Sequence, residues 1–183
     1  MEIAAEDEDL HDVGAAVRRV LETAADPTLI EVHKPDFKVF IGHGGDAQWE
    51  QVRAYCERAG YSIEAFESDY RAGQATLEVV ENMIASSAVA VVVMTGADQT
   101  VDHRTLARQN VVHEIGFAQG KIGVRNTIIL LEEGTEEFSN IAGITEVRFR
   151  KGEIHRTEKE VLATIANRKR DFEQYGPYGG GGI

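Results

Sequence analysis

The sequence predicts an α/β protein: a five-stranded parallel sheet in the order 2-1-3-4-5 with helices on both faces. Three observations carry this reading. After Pro35, strand-like and helix-like segments alternate five times, the pattern of a sheet whose parallel strands are joined by crossover helices. Val89–Met94 is apolar throughout, as a strand buried on both faces must be. Thr105–Ile122 is helical in period: Ala107, Val111, Ile115, Ala118 and Ile122 fall within one arc of about 80° at 100° per residue. In such a sheet, ligands sit beyond the C-terminal strand ends, at the point where the strand order reverses.

Each element has its own grounds. The first nine residues are acid-rich and expected to fray. Leu10–Ala25 reads as a helix on Val13, Val17, Val20 and Leu21, closed by Asp26-Pro27. Phe37–Ile41 is a buried strand. Asp46–Ala59 is a helix with Asp46 as N-cap and Gly60 as stop. Ser62–Phe66 is a short strand, and Gln74–Ala85 a helix with Leu77, Val80 and Ile84 on one side. After the apolar strand and the Thr105–Ile122 helix come a strand at Thr127–Leu131 and a short edge strand at Glu146–Phe149. Thr157–Gln174 closes the fold as a helix on Val161, Leu162, Ile165 and Phe172, and Gly176–Ile183 reads as a flexible tail or linker. The domain division is thus 1–35, an acidic extension with one helix; 36–175, the α/β domain; and 176–183.

Composition bounds the function. A chain of 183 residues, 43% hydrophobic, can bury a full core. The net charge is −12, and residues 1–35 carry nine acids against Arg18, Arg19 and Lys34. With no basic stripe, neither nucleic acid nor an anionic membrane is an expected partner. The lone Cys56 cannot form an intrachain disulfide and fits a reducing compartment. No apolar run reaches spanning length and no signal peptide is read, so the expectation is a soluble, cytoplasmic protein.

The strand ends gather the residues that can carry chemistry. Glu114 lies at the edge of its helix's buried stripe, with Asn110 one turn back and no cation three or four residues away. A half-buried carboxylate without a counter-charge should be harder to ionise and held by polar partners; the competing reading is a solvated group or a pair with Lys121. Ile41-Gly42-His43-Gly44-Gly45-Asp46 joins strand to helix, where glycines let N–H groups approach an anion. It lacks the Gly-Lys-Ser/Thr of a Walker A loop and matches a relaxed G-x-G-x-x-A (Gly42, Gly44, Ala47) with Glu64 near the spacing of a ribose-binding acid. In Glu67–Gly73, Tyr70 can stack on a base and Arg71 can meet a phosphate, as can Arg104 and Arg108. His103 and His113 share no face with a third ligand, so no metal site is expected. There is no G-x-S-x-G, and Cys56 is mid-helix, so nucleophilic hydrolysis lacks its parts.

Lys38-Val39-Phe40-Ile41-Gly42-His43-Gly44, the strand AVAVVVMT, Ala107-Arg108-Gln109-Asn110-Val111-Val112-His113-Glu114-Ile115-Gly116, Gly120-Lys121-Ile122-Gly123 and Ile141-Ala142-Gly143-Ile144 resemble, in order, the TIR-like domains of bacterial immune (antiphage) effectors. The likeness runs from about Asp36 to Arg150 and is strongest to the branch described as predicted nucleotide-binding TIR-like proteins. It implies the three-layer, flavodoxin-like TIR fold and an NAD+ glycohydrolase that cleaves the nicotinamide–ribose bond. NAD+ is then substrate, no cofactor is needed, and the product is linear or cyclic ADP-ribose. Glu114 maps onto the catalytic glutamate, Gly42–Gly45 onto the first ligand loop, and Glu67–Gly73 onto a mobile loop over the ligand. In this reading Gly42, His43, Gly44, Gly45, Tyr70, Arg71, Arg108 and Asn110 bind the substrate, His43 and Gly44 through backbone N–H groups more than through the imidazole. The resemblance also implies activation by homo-oligomer or filament formation, with a fused or separate sensor domain for a cyclic-nucleotide signal. The sequence departs from the family at Gly42, where Val or Ser is usual, and at Ile115, where Leu is usual; neither is expected to touch the chemistry. Two other classes stand beside the enzyme: a non-catalytic nucleotide-binding sensor, and a TIR scaffold in which Glu114 is structural.

Overall fold

The computed structural model of the protein describes residues 36–66, 76–99, 105–136 and 144–176. The expected Leu10–Ala25 helix, the Glu67–Gly73 loop with Tyr70 and Arg71, residues His103 and Arg104, and positions 177–183 of the tail lie outside the described residues. The elements in chain order are β1 (Lys38–His43), α1 (Trp49–Arg58), β2 (Ser62–Ala65), α2 (Thr76–Ala85), β3 (Val89–Met94), β4 (Asp98–Gln99), β5 (Thr105–Leu106), α3 (Gln109–Ile122), β6 (Thr127–Glu132), β7 (Thr145–Phe149) and α4 (Glu158–Tyr175). Five strands form one sheet, ordered β2-β1-β3-β6-β7, with every neighbour parallel. Counted by sheet strands alone, this is the predicted 2-1-3-4-5.

Strand alternation divides the core in two. Val39, Ile41, Val91, Val93, Ile128 and Leu130 face Trp49, Val52 and Tyr55 of α1 and Val161 and Ile165 of α4. Phe40, Ala90, Val92, Met94, Ile129 and Leu131 face Val80, Met83 and Ile84 of α2 and Val111, Ile115 and Ala118 of α3. All six residues of β3 are buried, which is why its sequence shows no polar position. Each fully buried Val, Ile or Leu contributes about 1.5–3 kcal/mol relative to exposure. The closing helix is fastened further by an edge-on contact of Phe172 with Phe37, centroids 5.4 Å apart.

Three boundaries differ from expectation because other partners take the backbone, and one helix buries a different set of side chains. β1 continues to His43, since β3 supplies partners for Gly42 (Val92) and His43 (Val93); those two residues are strand, not loop. Asp46 does not cap α1: its Oδ1 accepts the Gln48 N–H at 2.8 Å, a local turn that competes with helix, and the helix starts at Trp49. Thr105–Leu106 is strand rather than helix. It pairs antiparallel with Asp98–Gln99, and Thr105 O accepts the Glu136 N–H at 2.7 Å. The helix therefore begins at Gln109, although Ala107 still packs in the core its period predicts. On α2 the buried set is Val79, Val80, Met83 and Ile84, while Leu77 is 53% exposed.

Candidate active site

The alternation that sorts the core also builds the site. One residue past Ile41, Gly42 lies on the same sheet face as Phe40, beneath α2 and α3; His43 lies on the α1 face. Glu114 projects from α3 onto Gly42. A Cβ built on Gly42 would stand 2.5 Å from Glu114 Oε2, 3.1 Å from Phe40 Cε1 and 3.2 Å from Val92 Cγ1. The carboxylate therefore occupies the space a side chain at 42 would need. Gly42, expected to stay clear of the chemistry, lies against Glu114.

Glu114 Oε2 is buried and has no hydrogen-bond partner among the described residues. Burial pushes the carboxyl up to about 7 from an ordinary 4.5, because the charged form loses water and gains no compensating donor. Among the described residues the expected polar partners are not found: Asn110 is exposed one turn back. Nor does Lys121 neutralise it, for its Nζ sits over the Phe117 ring, 5.5 Å from the centroid. The desolvation of an acid at this depth would be offset by a group that brings either a cation or a hydroxyl.

His43 is a strut between loops. Its ring stacks on Trp49 with centroids 4.1 Å apart and planes 6° from parallel. Nδ1 accepts the Gly45 N–H at 3.2 Å, so the proton resides on Nε2, which donates to Phe66 O at 3.1 Å. The neutral ring thus ties the end of β1 to the end of β2. It also takes the Gly45 N–H that the glycine-loop reading offered to a ligand.

The rest of that loop abuts the start of α3. Cβ atoms built on Gly44 would lie 3.3 Å from Val111 Cγ2 and 3.4 Å from Arg108 Cδ, and on Gly45, 3.2 Å from Arg108 Nη1. Gly45 has φ +89, a left-handed conformation that favours glycine. Arg108 occupies the α3 N-cap, no side chain caps the helix, and no acid stands in its first turn. Helix dipole and guanidinium add to a positive corner suited to an anion.

Between these parts lies a cleft of about 420 Å³. It brings together Gly42, His43, Gly44, Gly45, Arg108, Asn110 and Glu114; Tyr70 and Arg71 lie outside the described residues. Sequence reasoning missed its walls: Phe40, Phe66, Leu77, Glu81 and Phe117 also line it. Two signals were available, Phe117 being one turn after Glu114 and Glu81 one turn after Leu77. Among the described residues, no three His, Cys, Asp or Glu side chains are grouped to hold a metal ion, and no helix is long and apolar enough to cross a membrane.

Residues 38–151 match the family model described as CAP12/Pycsar effector protein, TIR domain. An uncharacterized Escherichia coli (strain K12) protein, YuaY, is 31% identical over 134 residues, covering 68% of this chain and 44% of its own length, so the chain spans less than half of that relative. Among solved structures, the TIR domain of the Toll-related receptor TRR-2 from Hydra magnipapillata aligns with TM-score 0.50 at 16% identity, over 75% of this chain and 99% of that one. At that identity the likeness concerns the fold. The CMP N-glycosidase BcmB of Clostridium botulinum is a looser match, with TM-score 0.45, 14% identity, 71% of this chain and 98% of that one.

Proposed function

The chain belongs to the CAP12/Pycsar effector TIR-domain family, and on that premise we propose that it is an effector enzyme cleaving the nicotinamide–ribose bond of NAD+. The observation that carries this is the buried Glu114 carboxyl, without a counter-charge among the described residues, in a cleft walled by Phe40, Phe66 and Phe117. As the bond between ribose C1′ and the cationic ring nitrogen breaks, its electron pair leaves with neutral nicotinamide and positive charge develops on the ribose. A fixed carboxylate in a low-dielectric wall stabilises that charge more than water can. Water then adds to C1′ and loses a proton, giving ADP-ribose; attack by an adenine nitrogen instead would give a cyclic product.

Other features support the same ligand. The aromatic walls suit a planar ring, and Arg108 with the first turn of α3 suits the pyrophosphate. Family membership supports a role in immune defence, with homo-oligomer or filament formation as the activating event and a sensor of a cyclic-nucleotide signal, fused or separate, upstream of it. Chromatography of NAD+ incubated with concentrated protein tests the reading. Nicotinamide and ADP-ribose, linear or cyclic, should appear together. Tight NAD+ binding with no nicotinamide released would make the domain a nucleotide sensor, and neither binding nor release would make it a scaffold.

A further inference from the structure

We propose that Gly42 is a positioning residue for Glu114: the side chain it lacks is the space in which the carboxylate lies, out of water and against the sheet. This deepens the glycohydrolase reading by naming what sets the charge of its central group, but it rests on contacts within the chain. Gly42 is extended strand, paired with Val92 in register, and it is absent from the glycines with positive φ. Backbone conformation therefore does not demand glycine at this position. What demands it is crowding: Glu114 Oε2 at 2.5 Å from the position of a Cβ, with Phe40 and Val92 closing the sides at 3.1 and 3.2 Å. Of the three, the carboxylate ends a flexible side chain and is the group that would yield.

The direction of movement is fixed by the surroundings. Below Glu114 is the sheet; above it is the open cleft. A methyl at 42 pushes the carboxylate towards the cleft and water, where its charged form is better solvated and its acidity more ordinary. The charged or titratable groups that line the cleft with it are His43 at the end of β1, Glu81 on α2, Arg108 at the α3 N-cap and His113 on α3. All remain in G42A, so a change in Glu114's titration reports its depth.

The experiment is a carbon-13 titration of the Glu114 side-chain carboxyl in ligand-free protein, assigned by its absence from E114Q, in wild type and G42A. The wild-type midpoint is expected near 7, and the G42A midpoint lower by about one unit or more. Coincident midpoints would overturn the proposal. Should G42A fail to fold, the G42A/E114A double variant decides. Recovery of folding once the carboxylate is removed supports the proposal; failure of both places the need for glycine in the Phe40–Val92 wall and overturns it. Because the titration uses no substrate, a protein that cleaves no NAD+ would still report on Gly42, so the two readings fail separately. Where cleavage is measurable, the acid limb of the kcat/KM profile should move down with the midpoint.

Discussion

The Glu114 carboxyl at the floor of the cleft is the group through which this site is expected to respond to pH. With its carboxyl pushed up to about 7 by burial, Glu114 is only partly ionised at neutrality, and in the proposed reaction the ionised form is the one that would stabilise a developing cation. The rate constant kcat/KM, which reports free enzyme, should therefore rise with pH through about 7. Bound NAD+ brings a positive ring that favours the carboxylate, so the kcat profile should have its acid limb at lower pH. Initial rates across pH check both, and a kcat/KM that is flat through neutrality would remove Glu114 from the rate law. The same group bears on stability. Unfolded, the carboxyl ionises near 4.5; folded, near 7. Between these values the folded chain keeps a proton that the unfolded chain has lost, so the contribution is full below the lower value and disappears as pH rises through the upper. Gln at 114 abolishes that dependence. Relative to wild type, E114Q should gain on the order of 3 kcal/mol between about pH 5 and about pH 8, read by urea unfolding of both proteins.

The elements converge on the cleft in ways the sequence revealed unevenly. Residues whose environment is set by their own element were legible. Glu114 at the edge of the α3 stripe and the fully apolar β3 follow from periodicity alone. Residues whose environment is set by a neighbour were not. Thr105–Leu106 has helical period but gives its backbone to β4 and to Glu136, and hydrogen bonds to distant partners leave no mark on period. Gly42 and His43 interrupt an apolar run and so carry a loop signature, although β3 extends far enough to pair with both. The alternation of β1 could have placed Gly42 under α3 and His43 beside α1. What alternation cannot give is the 2.5 Å separation that makes Gly42 necessary. At this scale the testable part is the positive corner. Arg108 sits at the α3 N-cap against Gly44 and Gly45, and if it meets the phosphate of NAD+ as proposed, the charge-assisted hydrogen bond would contribute about 1.5–3 kcal/mol. Arg108→Ala should then raise KM for NAD+ roughly 10- to 100-fold with a much smaller effect on kcat. Initial-rate kinetics decide it, and an unchanged KM would remove the phosphate from this corner.

For the whole molecule, strand order was readable because alternating strands and helices leave few ways to wind a parallel sheet. The cleft's full lining was not, because Phe66, Glu81 and Phe117 come from separate segments and meet only when the sheet forms. Gly116 and Gly120 on α3 are exposed, with nothing within 4 Å of where their Cβ atoms would be, so the described residues offer no reason inside the chain for two helix-weakening glycines. A net charge of −12 opposes association in dilute solution. If assembly activates the enzyme and uses this open face, alanine at both positions should stabilise the isolated chain by about 1 kcal/mol each, and tryptophan at Gly116 should flatten the rise of specific activity with protein concentration. Turnover per molecule that stays constant from dilute to concentrated protein would show a complete site in each chain. The most direct test of the account compares wild type and E114Q at one concentration at which the wild type turns over, following NAD+ loss and nicotinamide release. E114Q keeps the shape of the side chain and removes its charge. It should release nicotinamide at least about 10²-fold more slowly; release at close to the wild-type rate would contradict the assignment of the chemistry to Glu114.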